Sequence, residues 1–283
     1  MRAPRERPGL RPALIAADAL QVLYEAGGLP AYELPEQLRA AYGGLLGFAD
    51  PRLVANFVAT LDGIVAIPDL PHSTRIISGA STADRFLLGL LRACADVVLL
   101  GAGTLHAHPD TVWTGQHAYP AAADAFAELR RRRGQPPQPE LAVVTASGQL
   151  DTDHPALRGP ALVLTSQRGA SALTGQLPAS CAVLPVAEDK VDLNVALAAM
   201  HDRGHRLVVC EGGPHLFGSL LAADLVDELF LTSSPRLAGR DSGTRLSLVE
   251  GTALLPALRG QARLLSVRRC SDHLFLRYQL RPT

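Results

Sequence analysis

Four stretches of this 283-residue chain place glycines, hydroxyls or a carboxylate directly after apolar, strand-like runs. The first is Val97-Val98-Leu99-Leu100-Gly101-Ala102-Gly103-Thr104. Two glycines behind a buried strand let a phosphate approach the backbone, and the Thr104 hydroxyl stands at a helix start. It is no Rossmann fingerprint, because GxGxxG would need glycine at 106 and the chain has His106. A plain tight turn explains this stretch as well as a phosphate site does. The second is Val208-Val209-Cys210-Glu211-Gly212-Gly213-Pro214, opening a helix. A diglycine there exposes backbone N–H groups at the positive helix end, which suits a pyrophosphate and sets Glu211 beside the ligand. The alternative is a strand turn with a solvated glutamate, although a diglycine is not needed merely to turn the chain. The third pairs Val143–Gly148 with Leu164–Gly169. Their hydroxyls, Ser147 among them, together with Arg168 would suit an adenosine 2′-phosphate, though each alone is an ordinary loop. The fourth is Ala55–Gly63, where Asp62 follows an apolar strand in an Asp-Gly pair that is also a common turn.

Other chemistries lack their residues. His106 and His108 would put two imidazoles on one strand face, but no third ligand is spaced near them, so no metal site is expected. No GxSxG elbow occurs. The four cysteines, Cys94, Cys181, Cys210 and Cys270, form no CxxC pair and read as reduced core residues. Lys190 is the sole lysine, in a polar Glu-Asp-Lys stretch, which removes both a Walker A loop and a buried Schiff-base lysine. The arginine bias reads as compositional. Basic and acidic residues balance at 27 each, so the chain lacks the basic field that drives nucleic-acid binding. No apolar run approaches the roughly 20 residues of a membrane span. Arg2, Arg5 and Arg7 before the short Ala13–Leu20 run mimic a signal peptide, but Asp18 interrupts it and no cleavage site follows. A cytoplasmic protein is expected.

The elements that must position these residues alternate. Strands are predicted at Leu53–Val58, Asp96–Leu100, Leu141–Thr145, Leu162–Thr165, Ala182–Pro185, Arg206–Cys210 and Val226–Thr232. Helices are predicted at Thr82–Cys94, Ala121–Arg133, Val191–Arg203 and His215–Ala223. Two period-2 runs, Ala262–Cys270 and Leu274–Leu280, close the chain as a hairpin. The fold class is therefore α/β: a mainly parallel sheet flanked by helices, with a C-terminal antiparallel hairpin. Residues 1–50 read as a helical extension, with helical patterns at Ala13–Tyr24 and Leu34–Tyr42, and residues 51–283 as the main domain. The run Arg130–Arg133 reads as a solvated helix end.

Taken in order, TLDG, LLRACADVVLLGAGT, EGGPHLFGSLL and LVDELFLTSSPRLAG resemble the reductase domain of the bacterial riboflavin-pathway deaminase–reductase. The chain is similar, more distantly, to dihydrofolate reductase. The match spans about residues 52–280, and the deaminase's HxE…PCxxC signature is absent. The resemblance implies a dihydrofolate-reductase-like fold and an NADPH-dependent pyrimidine reductase. It places Gly101, Thr104, Ser147, Arg168, Gly212, Gly213, Pro214, His215, Leu216 and Phe217 on the cofactor, with Ala66 and Arg75 lining it. Ser73, Arg92 and Glu211 would face a small heterocyclic substrate. Asp62, matching the family's SLDG aspartate, would handle a proton or anchor the substrate, with Glu211 the second catalytic candidate. Arg92, late in its helix, has capping as a competing role. Two departures stand out: Ile64 replaces the family's Lys or Arg after SLDG, and His106–Gly115 replaces its D-D-P-x-L-x-x-R stretch, losing an arginine that helps bind a ribose phosphate.

Hydride transfer asks for positioning and one proton, with no metal, lysine or covalent nucleophile, which agrees with the residues that are missing. Dihydrofolate reduction is one alternative, since a pterin and a pyrimidine offer a carboxylate similar amide edges. A non-catalytic NADPH-binding protein is another. The terminal hairpin has apolar positions on both faces, including Leu264, Leu265, Val267, Leu274 and Leu276, and the resemblance implies a homodimer through one of them.

Overall fold

The computed structural model describes residues 19–68, 70–240, 243–256 and 262–281. Its first half carries β1 (Gln21–Glu25), α1 (Glu36–Tyr42), β2 (Arg52–Ala59), β3 (Ile64–Ala66), α2 (Ser73–Ile77), α3 (Thr82–Cys94), β4 (Val97–Gly101), α4 (Ala102–Ala107), α5 (Gly115–Ala118) and α6 (Ala123–Arg132). Then follow β5 (Glu140–Thr145), β6 (Ala161–Ser166), α7 (Gln167–Ala172), β7 (Cys181–Ala187), α8 (Leu193–Asp202), β8 (Leu207–Cys210) and α9 (Pro214–Ala222). The chain closes with β9 (Glu228–Ser233), β10 (Leu246–Ser247), β11 (Arg263–Cys270) and β12 (His273–Gln279).

Ten of the strands form one sheet in the order β1-β11-β12-β9-β2-β8-β4-β5-β6-β7. From β9 to β7 every pairing is parallel, while β12, β11 and β1 add antiparallel. The expected fold class is thus the one observed. Strands buried on both faces are near-continuous apolar runs, as Leu53-Val54-Ala55 and Val97–Leu100 are, because helices cover both sides of a parallel sheet. On one face α1, α3 and α6 pack over Val54, Val98, Val143 and Val209. On the other, α8 and α9 pack over Leu53, Leu99, Leu162 and Cys210. A small second sheet pairs β3 with β10.

α3 shows how the sequence sets an element. The Ser81 side chain caps it by accepting from the Asp84 amide at 3.2 Å. Phe86, Leu87, Leu90, Leu91 and Cys94 then form a buried stripe at helical spacing.

The amino-terminal reading needs correction. The helical pattern at Ala13–Tyr24 has residues 13–18 outside the described residues, and its last part is strand β1, paired antiparallel with β11 from Gln21↔Arg269 to Glu25↔Ser266. The free edge of β11 supplies the ladder that an isolated helical pattern cannot foresee. Residues 20–48 are built into the first core cluster through Leu20, Leu34, Leu38, Tyr42, Leu46 and Phe48. Arg268 fastens them, its guanidinium 3.9 Å over the Tyr42 ring, its Nε donating to the Tyr42 carbonyl at 3.0 Å and its Nη2 pairing with the Glu25 carboxylate.

Arg130–Arg133 is not simply a solvated helix end. Arg130 is 1% exposed, and its Nη1 donates to the carbonyls of Ala95 at 2.7 Å and of Arg92 and Ala93 at 3.3 Å. Arg133 donates to the Cys94 carbonyl. These are the orphan carbonyls at the end of α3, so two arginines of α6 cap a neighbouring helix.

Candidate active site

The chain leaves β4 through α4, whose Leu105 joins one core cluster, and goes to β5. It leaves β8 through α9, whose Phe217 joins the opposite cluster, and goes to β9. Adjacent parallel strands whose connections depart to opposite faces leave a crevice at their carboxyl ends. The two glycine-rich stretches meet there.

Their contact is backbone to backbone. A Cβ on Gly212 would lie 2.7 Å from the Gly101 nitrogen and 2.9 Å from the Leu100 carbonyl carbon, and nearer still to the Leu100 Cα. Glycine at 212 is therefore a packing requirement between β8 and β4. Gly213 departs from expectation. Its φ is 0°, outside the left-handed region, and its N–H donates to the Thr104 hydroxyl at 2.7 Å instead of standing free for a pyrophosphate. Thr104 thereby ties the two turns together. Gly103 is the open position, with nothing within 4 Å of a built Cβ. At the start of α9, His215 is exposed and Leu216 half-buried, while Phe217 is buried against Phe57 with ring centroids 4.9 Å apart. Phe217 is a core residue, and His215 and Leu216 are the side chains this turn leaves accessible.

The β5 and β6 tips are joined in the same manner. A Cβ on Gly148 would lie 2.5 Å from the Gly169 carbonyl oxygen, and the Ser166 hydroxyl donates to the Ala146 carbonyl at 2.6 Å while accepting from the Gly169 amide at 3.0 Å. Those bonds leave Ser147 exposed on the loop after β5 and Arg168 exposed in the first turn of α7, with Ser147 Oγ accepting from the Gln149 amide at 3.3 Å.

At the tip of β8, Glu211 is held by Arg92 of α3 through two hydrogen bonds, Nε–Oε1 at 2.8 Å and Nη2–Oε2 at 2.7 Å. The side chains are 4% and 7% exposed. This bidentate pair consumes both carboxylate oxygens. Arg92 therefore does not cap its own helix; Arg130 has that role.

Asp62 has other partners than those its sequence position implied. It is exposed, and its two oxygens accept from the amides of Ala238 at 3.0 Å and Gly239 at 2.8 Å. Hydrogen bonds from Thr60 and then from these amides hold its carboxyl down at about 2, so it stays ionised through the neutral range. Asp62 anchors the loop that follows β9. Ser73 is buried at the start of α2, and its hydroxyl accepts from the Ile67 amide at 3.1 Å, fixing the chain after β3. Ala66 ends β3 opposite Leu246, and Arg75 is exposed on α2.

His106 and His108 do not share a strand face. His106 lies in α4 and His108 closes it, donating from Nδ1 to the Thr104 carbonyl at 3.0 Å. Burial pulls the His108 imidazole below its ordinary value, favouring its neutral form. Its ring stands edge-on to Trp113 and His72, and its carbonyl accepts from His154 Nε2 at 2.9 Å. The stretch that differs from the family pattern is thus an aromatic and imidazole layer beside Thr104.

Three polar residues escaped the sequence reading: Asp84, Thr232 and Ser234. Thr232 and Ser234 stand on the face of β9 that Phe230 presents to α3, 1% and 0% exposed, and Asp84 lies across from Thr232 in the first turn of α3. Asp84 reads in sequence as an ordinary first-turn acid, and the two hydroxyls as strand residues. The signal was the apolar run Leu229–Leu231 passing into two small hydroxyl residues on one face.

Comparisons with known proteins bear on the family and the fold. The family model described as the RibD C-terminal domain matches residues 51–275. An Archaeoglobus fulgidus protein named 2,5-diamino-6-ribosylamino-4(3H)-pyrimidinone 5′-phosphate reductase is 28% identical over 200 residues, covering 69% of this chain and 85% of that protein. A pyrimidine reductase-like protein from Corynebacterium diphtheriae superposes with a TM-score of 0.66 at 20% identity, over 82% of this chain and 93% of that one. A Thermotoga maritima deaminase/5-amino-6-(5-phosphoribosylamino)uracil reductase superposes with a TM-score of 0.58 at 18% identity, over 82% of this chain and 57% of that one. With a mainly parallel sheet, a closing hairpin and a family match over most of its length, the chain belongs to the RibD C-terminal domain family.

Proposed function

We propose that this chain reduces a ribosylamino-pyrimidine 5′-phosphate of riboflavin biosynthesis with NADPH. The observation that carries the reading is the switch-point crevice. It is edged by an open glycine turn at Gly101–Thr104 and by the start of α9, and the buried Arg92–Glu211 pair stands beside it. Open space at Gly103 fits a cofactor phosphate approaching the backbone, and exposed Ser147 with Arg168 fits a 2′-phosphate on the neighbouring tips. Bound there, NADPH supplies a hydride. The protein's share is to orient the acceptor, exclude water and manage one proton.

Within that reading Arg92 and Glu211 form a rigid wall of the substrate cleft, since each already satisfies the other. Asp62 shapes the cleft's edge by fixing residues 238 and 239, and Ser73 fixes the chain after β3. Residues 51–283 serve as the reductase domain, with residues 20–48 packed onto it. Apolar side chains exposed on β1 and the hairpin, Val22, Leu23, Tyr24 and Leu274, support a homodimer through this end of the sheet. No helix among the described residues is long and apolar enough to cross a membrane, in keeping with a cytoplasmic enzyme.

The test is loss of NADPH absorbance with purified protein and each ribosylamino-pyrimidine phosphate, with dihydrofolate as the competing substrate. Turnover of a pyrimidine substrate supports the reading. Turnover of dihydrofolate alone, or tight cofactor binding without any turnover, would overturn it.

A further inference from the structure

The turn Gly101–Thr104 ends on a threonine whose hydroxyl and carbonyl oxygens are both held by residues further along the chain. The hydroxyl accepts from the Gly213 amide at 2.7 Å. The carbonyl belongs to α4, a helix of six residues that closes at His108. Its regular partner would be the amide four residues on, which is that of His108. That amide goes to the Leu105 carbonyl instead, at 3.2 Å. The Thr104 carbonyl receives the His108 ring in its place, with Nδ1 donating at 3.0 Å. A side chain thus satisfies a helix-end carbonyl that the backbone leaves open.

The ring is itself fixed. A carbonyl only accepts, so Nδ1 carries a proton, and in the neutral imidazole Nε2 is then the acceptor. The Thr74 hydroxyl of α2 stands 3.4 Å from Nε2. Burial favours the neutral ring and so keeps Nε2 an acceptor. The His108 carbonyl accepts from His154 Nε2 at 2.9 Å, while His154 Nδ1 accepts from the Ala156 amide at 3.2 Å. His154 is 1% exposed and packs on Trp113 with ring centroids 5.8 Å apart. The His72 amide, on the other side, donates to the Ala107 carbonyl at 3.3 Å. One line of hydrogen bonds therefore runs from the β5–β6 connection through His108 to Thr104, and on to the start of α9.

We propose that His108 is a positioning residue for the cofactor: acting through Thr104, it sets the glycine turn against the start of α9, where the phosphates common to NADPH and NADH would lie. The inference rests on the reductase reading and gives a role to the stretch His106–Gly115, which departs from the family pattern. Both ring nitrogens of His108 are occupied by protein groups, so its effect on a ligand passes through the residue it holds.

The test measures dissociation constants for both cofactors by fluorescence, on the full chain. The proteins are the wild type, His108→Leu, His108→Asn, His108→Gln, Thr104→Val and the double variant of His108→Leu with Thr104→Val. Leucine offers no donor, so His108→Leu should bind NADPH and NADH each about threefold to tenfold more weakly, the worth of one neutral hydrogen bond. The asparagine amide nitrogen is as many bonds from Cα as Nδ1, so His108→Asn should recover affinity to within about twofold of wild type. The glutamine amide stands one bond further out, and His108→Gln should not recover it. In the Thr104→Val background His108→Leu should cost little more, because the two residues act as one unit. Should His108→Leu fail to fold, the contrast between asparagine and glutamine makes the same comparison. Unchanged affinity in His108→Leu would overturn the inference, whether or not the Tm falls, as would a fully additive loss in the double variant. A loss confined to NADPH would place His108 on the 2′-phosphate and also overturn it. A wild type that binds neither cofactor would instead bring down the reductase reading, and the inference with it.

Discussion

Gly212 and Gly103 lie on opposite sides of one turn contact, and alanine at each should act in opposite directions. At Gly212 the added methyl would lie 2.7 Å from the Gly101 nitrogen and 2.9 Å from the Leu100 carbonyl carbon. Both are backbone atoms of a central strand, so no side chain can swing aside. The tip of β4 must move by several tenths of an ångström, and Gly213, whose N–H bonds to Thr104, moves with it. Overpacking of this kind costs about 1–3 kcal/mol. At roughly 2–4 °C per kcal/mol for a domain of this size, the Tm should fall by about 2–12 °C. At Gly103 no heavy atom lies within 4 Å, and the residue is inside α4, where alanine is favoured over glycine by about 0.5–1 kcal/mol. Gly103→Ala should therefore hold or gain stability. Its methyl nevertheless fills the space proposed for the cofactor phosphate, so NADPH affinity should drop about tenfold or more, the equivalent of roughly 1.4 kcal/mol. Urea titration gives the stabilities, with unchanged m-values showing that unfolding remains comparable. Cofactor fluorescence gives the affinities. Unaltered stability in Gly212→Ala would refute the packing argument, and undiminished NADPH binding by Gly103→Ala would move the cofactor elsewhere.

Breaking the Arg92–Glu211 pair by Arg92→Met strands a buried carboxylate and should cost about 3–5 kcal/mol, measured by denaturant unfolding; a loss below 1 kcal/mol would show water reaching Glu211. Asp62→Asn should reduce turnover through the loosened loop while leaving the pH–rate profile in the neutral range unchanged. The depressed Asp62 carboxyl is ionised above about 2, and its stabilising contribution is lost only as pH falls toward that value, so a vanished limb near neutrality would restore a proton-handling role. NADPH should bind about tenfold to a hundredfold more tightly than NADH, and Arg168→Ala should narrow the gap; equal affinities would remove Ser147 and Arg168 from the cofactor. Burial raises the Cys94 and Cys210 thiols to about 11 and about 12, so alkylation should spare both in the native protein, and fast labelling would reveal an opening core.

The two glycine turns at the proposed cofactor edge were legible because their chemistry is local. A strand running into Gly101-Ala102-Gly103-Thr104, or into Glu211-Gly212-Gly213, announces its turn within a few residues, and parallel topology brings such tips together. The predicted limits of α3 coincide with those observed for the same reason: its cap and its stripe lie within its own sequence. Strand β1 was not legible, since what makes Gln21–Glu25 extended is the edge of β11, more than two hundred residues away. The partners of individual polar residues were not legible either. Asp62 turned out to hold Ala238 and Gly239, and the Gly213 amide to hold Thr104, through partners that only the fold supplies.

The arginine bias, read as compositional, acquires a physical meaning at four positions. Arg92, Arg130, Arg268 and Arg277 are each 4% exposed or less. Each uses more than one guanidinium nitrogen: Arg92 on Glu211, Arg130 on Pro136 and on the end of α3, Arg268 on Tyr42 and Glu25, and Arg277 on Glu228 and Gly47. A lysine ammonium could meet one of these partners but not a set spread around a planar fork. Two of the four act on α3. Its first turn is fixed by Ser81 and its last by Arg130, while Arg92 ties its side to Glu211. Asp84 and Arg92 stand eight residues apart on this pinned rod, about 12 Å along its axis at 1.5 Å per residue. Their spacing is therefore set by helix geometry and by anchors at both ends, independent of any ligand.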